Sequence, residues 1–404
     1  PYLIASKHIN NGKIYWEKCD HLSNKRYLES PEIALKLGDV IFSKDGSLGN
    51  PALIKYLPHE STINGTMMLV RVNSNISPNF FYQVLNSDYF FRLLHVLKSG
   101  SSIPHIFQRD MNNFKFKIPI KIKEQEMIAD FLELIDNKIN LLSSTIEYLK
   151  DFKNYCLQNL FSENKLRFKE FIDDWIKIKL GNLVKIYSGK SPKNLIKDKG
   201  KFPYFKVEQL NDCSKFLKIT PYLINDSSLL IKKGSVIFPK RGMAIMSNKI
   251  RILNQNSFMD TNLMALTVNE KMMNNEFLFY LLINERLSRI ADTTSIPQLN
   301  NKHINPYLIY LPSLKEQEKI ANFLSSIDKK IDLTQNQIDL MENFKKGLLQ
   351  EMFVYLILYI SIFLILLFFK IILNKLEYYF IFHLFKVLEI TDKGAYDLID
   401  IILM

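Results

Sequence analysis

Two short basic turns are the residues of this sequence best suited to contact an anionic polymer. Ser43-Lys44-Asp45-Gly46 and Pro239-Lys240-Arg241-Gly242 each follow a short apolar run that predicts a buried strand. A glycine after two charged residues lets the backbone turn tightly while a Lys or Arg side chain projects outward. Such a side chain can contact a phosphate, or the O6/N7 edge of a guanine. A solvated surface hairpin explains either turn equally well when it is taken alone.

The charge of the whole chain favours an acidic partner. The chain has 53 Lys and Arg against 41 Asp and Glu, a formal net charge of +12. Nucleic acid is the commonest acidic partner and an anionic membrane surface is the second. AT-rich coding bias, which inflates Lys, is the alternative explanation.

Sequence motifs for catalysis or cofactor binding are absent. The sequence has no Asn/Asp-Pro-Pro-aromatic loop of the kind that holds a flipped base, and neither a G-x-G-x-x-G nor a G-x-x-x-x-G-K-S/T motif. Its three cysteines are scattered without a C-x-x-C pair, and its seven histidines show no metal-ligand spacing. We therefore predict a non-catalytic protein of the reducing cytoplasm without a metal or cofactor of its own.

Both turns belong to an internal repeat, the sequence signature of a structural unit that occurs twice. Lys123-Glu124-Gln125-Glu126 recurs 192 residues later as Lys315-Glu316-Gln317-Glu318, and Gly38-Asp39-Val40-Ile41-Phe42 recurs as Gly234-Ser235-Val236-Ile237-Phe238. The region after each Lys-Glu-Gln-Glu motif keeps its spacing, whereas the region before it varies in length and sequence. This contrast predicts one shared frame that carries two domains of different specificity, here called heads, one before each Lys-Glu-Gln-Glu motif.

The two copies differ at their starts. The second copy opens at Phe168, 35 residues ahead of Pro203, and Pro203 corresponds to Pro1 of the first copy. We therefore expect a segment of about that length to precede Pro1 in the natural chain, and the second head to be the more intact reader.

A coiled-coil seam follows each Lys-Glu-Gln-Glu motif, because apolar residues recur there at alternating steps of three and four. The seam positions are Ile128, Leu132, Ile135, Ile139 and Leu142 in the first copy, and Ile320, Leu324, Ile327, Ile331 and Met341 in the second. Lys153 and Lys345 interrupt the two seams at equivalent positions, as a pair with one fixed register would require. We predict that the two helices, each roughly 55 Å long at 1.5 Å per residue, pair antiparallel within the chain. Dimerisation of whole chains is the alternative.

The predicted architecture is α+β, with two mixed α/β heads in tandem, each followed by one of these helices. The predicted segments are 1–119 and 164–312 for the heads, 120–163 and 313–352 for the helices, and 353–404 for an apolar tail. Ser313 and Glu316 have the spacing of a capping box at the start of the second helix. The tail is interpreted as a frameshift or fusion product, and a genuine membrane anchor is the alternative.

Taken together, these motifs resemble the specificity subunits of type I restriction-modification systems. The resemblance rests on Ile296-Pro297-Gln298-Leu299-Asn300, the two Lys-Glu-Gln-Glu helix starts and Lys345-Lys346-Gly347-Leu348-Leu349-Gln350. It implies that each head is a target-recognition domain reading half of a bipartite DNA target. It also implies that the helices form a ruler and a frame for two methyltransferase subunits, which a restriction subunit joins. S-adenosylmethionine, ATP and Mg²⁺ are then expected only on those partners.

The predicted DNA contacts follow from the basic turns and the Ile-Pro-Gln-Leu-Asn segment. They are Lys44, Lys206, Lys240, Arg241, Gln298, Asn300 and Lys302. Ile103-Pro104-His105-Ile106-Phe107 follows that segment's pattern only loosely, so the first head has a single predicted contact. The alternatives are a membrane-tethered coiled-coil interaction protein, or a silent truncated copy of a specificity gene.

Overall fold

A computed structural model describes residues 1–99, 104–162, 166–191, 200–225, 230–292 and 296–352. The predicted tail, 353–404, lies outside the described residues. The described residues form two compact units, one made of Pro1–Ser144 with Thr334–Met352, the other of Thr145–Leu333. Each unit therefore combines one head with parts of both long helices, which is not how the predicted segments divide the chain.

The first unit has a head built from two three-stranded sheets and a hairpin, ordered β4-β1-β7, β6-β5-β8 and β2-β3. Its strands are β1 (Tyr2–Ile4), β2 (Ile9–Asn10), β3 (Lys13–Ile14), β4 (Asp20–His21), β5 (Val40–Ser43), β6 (Gly49–Leu53), β7 (Ser61–Ile63) and β8 (Met67–Val70). Its helices are α1 (Asn24–Leu28), α2 (Pro78–Leu85), α3 (Asp88–Ser99), α4 (Gln108–Asn112) and the first part of α5 (Ile122–Leu160).

The second unit has a larger head, with sheets ordered β10-β17-β14-β15-β12, β13-β11-β16 and β18-β9. Its strands are β9 (Ile176–Lys179), β10 (Val184–Ser188), β11 (Phe202–Phe205), β12 (Phe216–Leu217), β13 (Leu223–Ile224), β14 (Val236–Pro239), β15 (Arg251–Leu253), β16 (Phe258–Met259), β17 (Leu263–Val268) and β18 (Leu308–Leu311). Its helices are α6 (Asn275–Glu285), α7 (Asn301–Ile304) and the first part of α8 (Leu314–Met352).

The predicted apolar runs form the central strands of the two heads, β5 and β14. Each is buried along its whole length, so its sequence is apolar without alternation, apart from the buried Ser43 at the end of β5. Each pairs antiparallel with the strands on its two sides, β6 and β8 in one head and β15 and β17 in the other. Likewise β1 and β11 each pair with one antiparallel and one parallel neighbour. The sequence repeat is therefore a repeat of topology.

The two long helices pair antiparallel within each unit, as predicted. In the first unit, Ile128, Leu132 and Ile135 share a core with Leu348 and Leu349, near the end of α8. In the second unit, Phe152 near the end of α5 lies against Phe323 near the start of α8. The N-terminal part of one helix thus always meets the C-terminal part of the other.

The predicted seam positions differ in burial. Ile139, Ile331 and Met341 are half-buried, and the others are buried: Ile128, Leu132, Ile135, Leu142, Ile320, Leu324 and Ile327.

The lysines that interrupt the seams are paired across them. Lys345 Nζ lies 2.6 Å from Asp136 Oδ1 in the first unit, and Lys153 Nζ lies 2.5 Å from Asp328 Oδ1 in the second. Each carboxylate also accepts a hydrogen bond from its own head, from Gln83 in the first unit and from Tyr280 in the second. Because a half-buried charge without a partner is costly, these pairs favour this register over neighbouring ones.

The glutamine of each Lys-Glu-Gln-Glu motif anchors its helix to its head. Gln125 and Gln317 are both completely buried. The Gln125 amide oxygen accepts the backbone N–H of Ser77 at 2.8 Å, and its amide nitrogen donates to the carbonyls of Asn75 and Pro119 at 3.0 and 2.8 Å.

Gln317 makes the same three bonds in the second unit. It accepts from Asn274 at 2.9 Å and donates to Met272 and Pro312, both at 3.0 Å. Ser77 and Asn274 are the N-cap residues of α2 and α6, the helices that carry much of each head's core. A buried side chain that bonds to three backbone groups at once orients the head on the helix.

The predicted capping box at Ser313 is only half correct. The Ser313 hydroxyl accepts the backbone N–H of Glu316 at 3.4 Å. The Glu316 side chain does not return to Ser313, and instead accepts two bonds from Arg167, at 2.8 and 2.9 Å, and one from Trp175, at 3.2 Å. A buried carboxylate gains more from a bidentate guanidinium than from one backbone N–H, which explains the difference.

Candidate nucleic-acid interface

Both predicted basic turns leave the ends of the central strands in the same backbone geometry. In the second head the Lys240 N–H donates to Asn262 O at 2.8 Å and the Leu299 N–H donates to Lys240 O at 2.8 Å. In the first head the Lys44 N–H donates to Thr66 O and the Ile106 N–H donates to Lys44 O, both at 2.9 Å. The backbone of each lysine is therefore held by two neighbouring segments, one at its N–H and one at its carbonyl.

The next residue of each turn forms an isolated β-bridge to the segment that carries the Ile-Pro motif. Arg241 bridges to Gln298 in the second head, and Asp45 bridges to His105 in the first. The glycines that follow, Gly242 and Gly46, have φ of +75° and +67°, and a Cβ atom would meet nothing within 4 Å at either. Glycine is thus favoured there by the positive φ, and not by a lack of space for a side chain.

Arg241 is the most exposed cation of the second turn. Its side chain is exposed, whereas Lys240 is half-buried at the end of β14. Burial lowers the pKa of Lys240, and the neighbouring Arg241 charge lowers it further. An exposed guanidinium on a backbone held by two segments can present two parallel donors to an acceptor edge.

Lys206 lies near the same turn, because it shares the acidic neighbour Asp260 with Lys240. The Asp260 carboxylate interacts electrostatically with both Lys206 and Lys240. Burial raises the pKa of Asp260, although the bond that it accepts from the Asn262 N–H acts in the opposite direction. The Lys206 ammonium also lies 3.6 Å from the centre of the Tyr222 ring. Lys206 is thus restrained at the side of the turn.

The Ile-Pro-Gln-Leu-Asn segment brings the other predicted contacts alongside. Gln298 joins Arg241 and Asp292 by backbone bridges, and Asn300 is the exposed N-cap of α7. Lys302, whose side chain is 66% exposed, lies 3.0 Å from Asp292. The structure therefore gathers all six predicted contacts of the second head on adjoining segments, with Lys302 engaged in a surface ion pair.

In the first head, sequence reasoning identified Lys44 alone and missed four residues at the equivalent positions. Asp45, His105, Phe107 and Arg109 occupy the places of Arg241, Gln298, Asn300 and Lys302 along matching segments.

Those four residues form one connected surface. The Asp45 carboxylate contacts Nδ1 of His105, the His105 ring lies 4.2 Å from the Phe107 ring, and the Arg109 guanidinium lies 4.8 Å from that ring. The offset of 193 residues between Ile103-Pro104 and Ile296-Pro297 could have located His105, Phe107 and Arg109, and the offset of 196 between Gly38 and Gly234 could have located Asp45.

One cavity of the first unit lies elsewhere. It has a volume of about 1130 Å³ and is lined by residues of the β2–β3 hairpin, α2, α5 and α8. Within the described ranges, no cluster of His, Cys, Asp and Glu could hold a metal ion. Among those same residues, no helix has both the length and the apolar character needed to cross a membrane.

Comparison with known proteins gives one consistent set of relatives. The family described as type I restriction modification DNA specificity domain matches residues 1–151 and 172–343. The MjaVIII type I restriction enzyme specificity subunit of Methanocaldococcus jannaschii is 25% identical over 346 residues, which cover 80% of each protein.

Two solved structures share the fold. A chain of a type I R-M system, studied for its complex assembly and conformational transition, matches with a TM-score of 0.58 and 18% identity, over 87% of this chain and 90% of that one. The type I restriction-modification S subunit of M. genitalium matches with a TM-score of 0.53 and 20% identity, over 79% of this chain and 83% of that one.

Proposed function

The chain belongs to the family of type I restriction-modification DNA specificity domains and is therefore a DNA specificity subunit; we propose that its two heads read the two halves of a bipartite target through the turns at Asp45 and Arg241. The observation that carries this proposal is the equivalence of the two turns. Each is held by the same backbone hydrogen bonds at the end of a buried central strand. A repeated reading surface suits two half-sites.

The second turn has the chemistry of direct base readout. Arg241 suits the O6 and N7 acceptors of guanine, and Gln298 and Asn300 suit the N6 and N7 groups of adenine. Lys206, Lys240 and Lys302 are placed to contact phosphates around those bases, as Lys44 is in the first head. Phosphate contacts set position and affinity, whereas base contacts set sequence preference.

The partners follow from this role. We propose that the chain is a non-catalytic targeting subunit that assembles in the cytoplasm with methyltransferase subunits and a restriction subunit, which bring S-adenosylmethionine, ATP and Mg²⁺. The paired helices, with their lysine–aspartate pairs, are the rigid surface on which those subunits dock.

The test is to co-express the whole chain with a type I methyltransferase subunit and to map methylated bases in the host genome by single-molecule sequencing. The expected result is a bipartite motif with a spacer of fixed length. Arg241→Ala is expected to relax one guanine-containing position of one half-site, because a good bidentate contact contributes roughly 1–3 kcal/mol of discrimination.

The matched control is Lys232→Ala, which removes a cation whose side chain is 61% exposed. Lys232 precedes the start of β14, whereas Arg241 follows its end. It is expected to leave the motif unchanged. A wild-type complex that yields no bipartite motif would contradict the proposed function. A motif that Arg241→Ala leaves intact would remove this turn from the reading surface.

A further inference from the structure

We infer that the first head reads a cytosine through the Asp45 carboxylate, at the position where the second head uses Arg241. This inference rests on the proposed function and specifies the base that one half-site must contain. Its basis is that two residues of opposite charge occupy one backbone position in two copies of the same frame.

The frame itself is closely matched. The pairing of β5 with β8 runs from Val40↔Val70 to Ser43↔Met67, and that of β14 with β17 runs from Val236↔Leu266 to Pro239↔Leu263. Both turns then make the same lysine hydrogen bonds and the same bridge. Asp45 and Arg241 therefore project from equivalent points, and only the chemistry of their side chains differs.

A carboxylate at this point selects among the four bases by hydrogen bonding. An ionised Asp only accepts hydrogen bonds. In the major groove guanine presents two acceptors, and thymine presents an acceptor and a methyl group. Neither base therefore offers a hydrogen-bond donor to the carboxylate. Adenine offers the N6 donor beside the N7 acceptor, whereas cytosine offers the N4 donor without an adjacent acceptor. Cytosine is thus the base that an acceptor-only side chain favours.

The surroundings of Asp45 keep the carboxylate available. Its side chain is 33% exposed, and its Oδ1 contacts Nδ1 of His105, which is 29% exposed. A carboxylate has about four lone-pair sites, so Oδ2 can still accept from a base. The imidazole contact also orients the carboxylate. Arg109, beside Phe107 on the same surface, adds a cation whose side chain is 78% exposed.

The experiment uses the assembled complex and fluorescent duplexes. The wild-type motif is mapped first, and the half-site that Arg241→Ala leaves unchanged is assigned to the first head. Binding is then measured to duplexes that carry each of the four base pairs at each position of that half-site. For wild type, one position is expected to prefer C·G by about ten-fold or more, the effect of a hydrogen bond to a charged group.

Asp45→Ala is expected to reduce that preference to less than about two-fold while leaving the other positions unchanged. Asp45→Asn keeps the size of the side chain and adds a donor, so it is expected to move the preference toward A·T, which amide side chains bind in bidentate fashion. Glu32→Gln, at an exposed acid of the same head, is the control and is expected to retain the preference for C·G.

The results separate the inference from the proposed function. A wild-type complex without a bipartite motif overturns both. A bipartite motif whose first half-site does not respond to Asp45→Ala, or responds at an A·T pair, overturns the inference alone. Asp45→Ala and Asp45→Asn variants that bind non-target DNA as wild type does, yet lose the C·G preference, support it.

Discussion

Between the two copies of the repeat, the anchoring glutamines are identical, whereas the exposed turns carry side chains of opposite charge. Gln125 and Gln317 are the same residue type, equally buried, and each bonds to one backbone N–H and two backbone carbonyls at corresponding places of its own unit. Asp45 and Arg241 share a backbone position and have opposite charge. A buried side chain with three bonds can change only at a large cost in stability. A turn held by its backbone accepts any side chain, so specificity can vary there without disturbing the frame.

The two helix starts show a second difference. Glu316, 1% exposed, is held by Arg167 and Trp175. Its counterpart Glu124 is half-buried, and within the described part of the chain it makes no such pair. Among the described residues, the first glutamate of the motif thus forms a buried ion pair in the second unit only, because the partner residues lie outside the motif.

The largest effects are expected from charges placed in the seam, at positions that correspond in the two copies. Ile135→Asp and Ile327→Asp should each cost about 3–5 kcal/mol of unfolding free energy, because both sites are at most 2% exposed and an unpaired carboxylate there is strongly disfavoured. Ile139→Asp and Ile331→Asp should cost less, since both sites are half-buried. Urea unfolding measures all four.

Leu134→Asp is the control for these variants, because Leu134 is 67% exposed, and it should change the unfolding free energy little. Equal losses at positions 134, 135 and 139 would contradict the assigned seam. The two strong variants should also abolish methyltransferase assembly, so wild-type assembly by either would contradict the docking role of the helices.

An intermediate effect is expected from removing either anchoring glutamine. Gln125→Ala and Gln317→Ala should each cost about 3 kcal/mol, because one buried N–H and two carbonyls lose their partner. Unfolding in urea should show similar losses for the two variants. Gln335→Ala, at an exposed site on α8 whose side chain bonds to Asp339, is the control. A loss in one copy only would show that the two anchors are not equivalent.

The smallest effect is expected at Asp260. Its equivalent in the first head is Asn64, because each accepts, at Oδ1, the backbone N–H of the residue two positions on, Asn262 in one head and Thr66 in the other. Burial raises the pKa of Asp260 above its ordinary 3.8, so the folded state holds the proton more tightly than the unfolded state does. The ionised carboxylate therefore weakens the fold above the folded-state pKa, and that penalty vanishes below 3.8. Asp260→Asn should raise the urea midpoint at pH 7.

The gain at Asp260 should shrink as the pH falls through the folded-state pKa, and should be absent below 3.8. Asn64→Asp in the first head is the reciprocal test, and it should lower the midpoint at pH 7 with the same pH dependence. A gain from Asp260→Asn that does not depend on pH would point to packing and not to charge.

Much of the frame could be predicted from particular residues. The period of Ile128, Leu132 and Ile135 predicts a helix with one buried face, and the repeat of that period with a lysine at the same place predicts a partner of the same length. The continuous apolar run at Val236–Phe238 predicts a strand buried on both faces. These predictions succeed because burial and helical geometry are set by local periodicity.

The proposed reading surface of the first head could not be predicted from local periodicity. Asp45 and His105 are sixty residues apart, and neither has the basic character by which the second turn was recognised. The ion pair between Glu316 and Arg167 could not be predicted for a similar reason, since Arg167 lies 149 residues away in the sequence.

The sequence by itself determined the repeat, the class of the fold, the antiparallel helices and the place of the turns, because each depends on periodicity or on motifs within a few residues. Only the tertiary structure decided which side chains share a surface. It placed Asp45 against His105, joined Arg241 to Gln298 and buried Gln125 and Gln317 under the N-caps of the head helices. Those contacts depend on how distant segments pack, which local spacing does not encode.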